Sequence, residues 1–171
     1  MSRIAGSSAD IAYHDFRRRN VPVLSTVVAI LAALAPIVVS TPIIPDIAFL
    51  VLLSWRLLRP EIWTPLIALP LGFANDLVAG HPIGQSMALW TLIFVALDLL
   101  DTQRIWRDYW IDWLIAALAI VAYTAGSWLI TGLMGSAVDF AVLLPQVGLA
   151  ILLYPLVSRL VLSLDRWRLS R

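Results

Sequence analysis

Residues 72–85 read GFANDLVAGHPIGQ, with apolar sequence on both sides. The stretch sets Asn75 and Asp76 side by side, then adds Gly80, His81, Pro82 and Gly84. Gly-His-Pro followed by Gly is turn chemistry, so one apolar helix ends near Ala79 and another begins near Gln85. Asp76 then falls in the last turn of the first helix, where the helix dipole disfavours an anion. A carboxylate at membrane depth is costly as well. The short turn offers compensation, because it brings the unpaired N–H groups at the start of the next helix close by. Gln85 and Ser86 add side-chain donors. The expectation is a tight hairpin in which Asp76 accepts hydrogen bonds from donors among Gln85, Ser86 and Met87, with Gly80 at positive φ. A proton or ion site is the alternative reading of Asp76.

The rest of the chain supports membrane depth. Of 171 residues, 61% are hydrophobic and 13% charged, and the mean hydropathy is +0.89. Soluble domains are about 45–50% apolar and about 25% charged. Cysteine is absent, which removes disulfides, a thiol nucleophile and thiolate metal sites. A spanning helix needs about 20 mostly apolar residues. Six stretches approach this: Val21–Val39, Ile43–Leu58, Ile62–Ala79, Gln85–Leu100, Trp113–Leu133 and Phe140–Leu162. The fold expected is therefore an all-α integral membrane protein of six transmembrane helices with short loops. Residues 1–20 form an N-terminal tail, 21–163 the membrane domain and 164–171 a basic C-terminal tail. All 12 basic residues are Arg. They lie before the first stretch, at the end of the second and just after it, after the fourth, and at the end of the sixth and beyond. Excess Arg marks the cytoplasmic side, so both termini are expected there. Ala33-Leu34-Ala35 resembles a signal-peptide cleavage site, but the apolar run continues to Val39, longer than the usual 7–15-residue core. A retained anchor is expected.

Between the fourth and fifth stretches, DTQRIWRDYWID (101–112) with the Trp113 that follows places Trp106, Tyr109, Trp110 and Trp113 on one face and Arg104, Arg107, Asp108 and Asp112 on the other. That pattern predicts an amphipathic helix lying in the cytoplasmic interface, anchored by aromatic rings. Trp55, Trp63 and Trp167 extend the same aromatic belt. Asp98 and Asp101 read as a solvated or Arg-paired helix end beside Arg104. Asp76 and Asp98 differ in depth by about 15 Å, which excludes a carboxylate pair sharing a proton. Neither His14 nor His81 has metal-ligand company. Small residues at Ala68, Gly72, Asn75 and Ala79, and at Ala122 and Gly126, mark close helix packing. No catalytic residue, metal, cofactor or nucleic-acid partner is expected.

Two segments carry a family resemblance. TPIIPDIAFLVLLSWRLLRPE (41–61) followed by LGFANDLVAGHPIG (71–84) resembles the bacterial rod shape-determining MreD family. The matching residues are Pro45-Asp46 at the start of the second helix, Trp55-Arg56 before Pro60, then Gly72, Asp76, Gly80, Pro82 and Gly84. Ser86 follows this set. Asn75 departs from the pattern, which has an apolar residue there. The resemblance implies a non-enzymatic, multi-pass component of the bacterial inner membrane that serves cell elongation and peptidoglycan synthesis. It implies association with a bitopic MreC-like protein, and through it with a RodA-like glycosyltransferase, a penicillin-binding transpeptidase and an MreB-like cytoskeleton, in contact with membrane lipid. It also implies the six-helix fold of the substrate-binding components of vitamin transporters. A small-solute-binding subunit is therefore the alternative function. Very short outer loops weigh against it.

Overall fold

The computed structural model describes residues 8–34, 44–101, 109–135 and 139–169. Among them the chain is helical, without strands. The helices are α1 (Ser8–Leu31), α2 (Ile47–Leu58), α3 (Pro65–Ala79), α4 (Gln85–Asp101), α5 (Tyr109–Leu133) and α6 (Leu144–Leu169). Short 3-10 turns at Ala32–Leu34 and Phe140–Leu143 follow α1 and precede α6. Two stretches, Tyr109–Leu133 and Phe140–Leu169, are long and apolar enough to cross a membrane, with mean hydropathies of 1.8 and 2.1.

The centre of the fold is α2. It is 12 residues long, and everything from Ala48 to Leu57 is buried against α1, α5 and α6. Its sequence IAFLVLLSWRLL has no polar face, the pattern of a helix enclosed on all sides. It begins at Ile47 rather than Ile43 because Asp46 caps it, accepting the Phe49 N–H at 3.0 Å. It stops before Arg59, whose φ of −137° and ψ of 71° are not helical. The following Pro60 disfavours the helical region at that position.

Beside it, α3 and α4 form the closest helix pair. Pro65 occupies the first turn of α3, where its missing N–H costs nothing, so the helix starts there rather than at Ile62. Gly80 ends it at φ 71°, donating its N–H to the Asp76 carbonyl. Gly72 lies against the α4 backbone: a Cβ there would stand 2.6 Å from Met87 Cα and 2.8 Å from the Ser86 carbonyl carbon. Backbones approach this closely only where the residues between them are small. Ala68, Gly72 and Asn75 are buried as the spacing predicts, whereas Ala79 and Ala122 are exposed. Gly126 faces the flexible Leu89 side chain.

A Cβ at Gly80 would meet nothing within 4 Å, so substitution there strains only the backbone. Gly80→Val should destabilise by about 1–2 kcal/mol. At about 2–4 °C per kcal/mol, the thermal midpoint in detergent should drop by several degrees. An unchanged midpoint would refute the strain argument.

Several expected boundaries move. Helix α1 begins at Ser8, because no Gly or Pro separates Ser8 from Val21. Within it, Ser25 and Thr26 donate their hydroxyls to the Pro22 carbonyl at 2.9 and 3.0 Å. The separate in-plane helix expected over 104–113 is corrected over its described part. Tyr109, Trp110 and Trp113 belong to the start of α5, since no breaker divides them from the apolar run. Trp106, Arg104 and Arg107 lie outside the described residues, as do Thr41 and Pro42. At the other end α6 continues to Leu169, seven residues beyond Leu162, because buried contacts described below hold it. The aromatic belt is also corrected: Trp55 and Trp63 are buried core residues, while Trp110 and Trp167 are exposed.

Candidate functional site

The sequence-predicted residues gather at the two ends of α2. At its start, Asp46 is both cap and hub. Its Oδ2 accepts the Tyr123 hydroxyl at 2.8 Å and the Asn75 amide at 3.1 Å. Asn75 gives its other N–H to Ser86 Oγ at 3.2 Å. Ser86 Oγ also lies 3.3 Å from the Tyr123 hydroxyl and 3.3 Å from His81 Nδ1. Asn75 is thus the donor that joins the second, third and fourth helices, a role the apolar residue of the family pattern could not fill.

Asp76 is the second carboxylate of this network and is 1% exposed. Its Oδ1 accepts the Ser86 N–H at 2.8 Å and its Oδ2 the Gly84 N–H at 2.9 Å, with Met87 N at 3.5 Å. Ser86 and Met87 were among the expected donors. Gln85 was too, but its amide turns away to Ser127 Oγ at 2.6 Å, and the Gly84 N–H takes its place. Both carboxylates therefore sit at helix N-termini, Asp46 on α2 and Asp76 on α4. There the dipole and the unpaired N–H groups stabilise an anion without a cation. His81 Nδ1 lies 3.9 Å from Asp76 Oδ1.

The other end of α2 is an ion-pair layer. Arg56 is 1% exposed and donates to both Asp98 and Asp101, the latter at 2.9 Å. Its guanidinium also lies 5.8 Å from the centre of the Phe94 ring, a cation–π distance. Of the two readings, a solvated or an Arg-paired helix end, these carboxylates show the second, with Arg56 as a partner; Arg104 lies outside the described residues. Arg59 donates to Asp165 Oδ2 at 2.8 Å and Arg168 to Asp165 Oδ1 at 2.7 Å. Arg168 then stacks over Trp55 at 5.5 Å, and the Trp55 indole N–H reaches Ser25 Oγ at 2.8 Å. The enclosed helix thus carries an acid at its N-terminus and bases at its C-terminus, complementing its own dipole at both ends.

Burial pushes the Asp165 carboxyl up, but hydrogen bonds from Arg59 and Arg168, and their charges, outweigh it and hold it below the usual carboxylate range. A depressed carboxyl stabilises the fold above its unfolded value and loses that contribution as pH falls through the folded value. The hydrogen bond to Asp165 raises Arg59 above its already high usual value, so its contribution persists until strong alkali. Stability of this layer should therefore be flat around neutrality and fall only below about pH 4. Asp165→Asn should flatten that acid limb in thermal melts taken against pH. An unchanged limb would show the pairing to be inconsequential.

Tyr123 and Asp165 were not singled out from the sequence, and Arg168 only as one of the basic residues that set the topology. A tyrosine in the middle of an apolar segment was a usable signal, since its buried hydroxyl needs a partner. Beside the Asp46 network lies a cavity of about 490 Å³ between α1, α2, α3 and the start of α6, into which Asp46, Asn75, His81 and Gln146 face. Pro45 also lines it, and Pro60 lies in the turn after α2.

Fold and site together define a helical protein organised on one enclosed helix, polar at both ends, with two helices long and apolar enough to cross a membrane. The family model for rod shape-determining protein MreD matches residues 17–164, and the chain belongs to that family. No curated protein and no solved structure matches it, so the expected likeness to vitamin-transporter components has no support from that side.

Proposed function

We propose that the protein is a non-catalytic, multi-pass component of the bacterial inner membrane that binds an MreC-like bitopic protein and supports peptidoglycan synthesis during elongation. RodA-like glycosyltransferase, transpeptidase and MreB-like cytoskeleton are its indirect partners. The proposed topology is six spans, with the Arg-bearing ends of the helices and both termini in the cytoplasm. Residues 1–20 and 164–171 lie on that side, flanking the membrane domain, and Trp106, Tyr109, Trp110 and Trp113 anchor the interface.

The observation that carries the reading is family membership across residues 17–164. The site supports it, because the motif carboxylates are occupied by internal donors and so serve to fix helix positions. A rigid helical body suits a scaffold that must present a constant surface. A second reading, binding of a small solute, is favoured by the cavity of about 490 Å³ beside Asp46.

Purification in mild detergent, with mass spectrometry of both protein and small molecules, separates the two. Co-purification of an MreC-like protein supports the scaffold. A stoichiometric vitamin-like solute, released on denaturation and without that partner, overturns it. Reporter fusions at either terminus that are active outside the cytoplasm would defeat the topology.

A further inference from the structure

At the Arg56 end, α2, α5 and α6 leave a pocket of about 160 Å³ between them. By this measure one water needs only about 10–15 Å³, so there is room for a small headgroup. Ser54, Tyr154 and Ser158 line it with hydroxyls, and Tyr154 is 5% exposed. Arg159, on the next residue of α6, supplies a guanidinium and makes no ion pair among the described residues. Asp112 supplies a carboxylate from the first turn of α5. The remaining wall is apolar or aromatic, with Leu58, Leu162, Trp113 and the half-exposed Tyr109.

Each part has a chemical counterpart. A guanidinium among hydroxyls suits a phosphate. A carboxylate beside aromatic faces suits an ammonium group and opposes a ligand that is only anionic. Leucines at the rim suit the first carbons of acyl chains. Tyr and Trp are at home at headgroup level, and basic pockets between membrane helices on the cytoplasmic side take lipid headgroups.

We infer that this pocket binds the headgroup of an aminophospholipid, with phosphate at Arg159 and Ser158 and the amine toward Asp112 and Tyr109. The inference rests on the topology proposed above, which puts this end at the inner leaflet. It does not depend on any protein partner.

The test uses delipidated full-length protein in detergent, with phosphatidylethanolamine, phosphatidylglycerol, soluble phosphoethanolamine or inorganic phosphate added. Native mass spectrometry reads retention and thermal melts read stabilisation. Phosphatidylethanolamine should be retained about fivefold better than phosphatidylglycerol, the ratio for one favourable charge contact near a membrane surface. Arg159→Gln should weaken retention of both lipids. Asp112→Asn should abolish the preference between them. Arg166→Gln, an exposed arginine on the same helix outside the pocket, should change neither. If Arg159→Gln does not fold, Arg159→Lys takes its place, and the comparison of lipids on the unaltered protein stands by itself. Equal retention of the two lipids overturns the assignment of the amine. Equal stabilisation by soluble phosphoethanolamine or phosphate overturns a lipid as the source. A partner that fails to bind while the lipid preference holds would count against the scaffold reading alone.

Discussion

Asp76→Leu is expected to remove most folded protein, while Asp76→Asn leaves a substantial fraction. The carboxylate is fully enclosed and occupied by two short backbone hydrogen bonds, from Gly84 at 2.9 Å and Ser86 at 2.8 Å. Leucine leaves both N–H groups without an acceptor, that of Ser86 buried and that of Gly84 partly so. Each orphaned donor costs about 1–3 kcal/mol, so the pair costs about 2–6 kcal/mol, comparable to the whole stability of many domains. Asparagine keeps the shape and one carbonyl oxygen, and so leaves only one of the two donors unpaired. The measurement is the monodisperse fraction on size-exclusion chromatography, with the thermal midpoint of whatever folds. Equal losses for the two variants would show that Asp76 is not the acceptor holding the hairpin.

Gly72→Val is expected to be nearly as damaging, for a steric reason. Its first side-chain carbon would stand 2.6–2.8 Å from the backbone of Ser86 and Met87. Backbone cannot swing aside as a side-chain tip can, so α3 and α4 must separate. Overpacking of this kind costs about 1–3 kcal/mol, occasionally more, and here the separation also stretches the Asp76 bonds one turn away. Gly72→Ala should already show the effect. The control is Gly132→Ala in α5, where an added carbon meets nothing within 4 Å. That change should be neutral or slightly stabilising, because alanine is the better helix former. If Gly72→Ala melts like Gly132→Ala, the two helices are not in contact as described.

What could be read from the chain alone was local. Gly80, Pro82 and Gly84 announce the hairpin because turn chemistry acts over a few residues, and two of the donors to Asp76, Ser86 and Met87, followed from helix-end geometry across it. The centrality of α2 was not legible. A helix apolar on every side offers no moment to say which neighbours enclose it, and its 12 residues read as a short span of the ordinary kind. Nor were the partners of its two ends legible. Arg56 finds Asp101 across 45 residues, Asp46 finds Tyr123 across 77 and Arg59 finds Asp165 across 106. Such pairings depend on which helices become neighbours, and no local rule encodes that. For the same reason Trp55 looked like an interfacial anchor: position along the chain placed it at a helix end, but only the packing of α1 and α6 shows that the end is covered.

The distances along the chain between Arg56 and its carboxylates bear on how the molecule is made. Asp98 and Asp101 follow Arg56 by 42 and 45 residues. At about 5–20 residues per second of synthesis, the guanidinium waits on the order of 2–9 s for them. Until then the helix behind it lacks this anchor. Asp165 arrives later still, and with it the clasp on Arg59. The innermost helix is thus among the first to leave the ribosome and the last to be fastened.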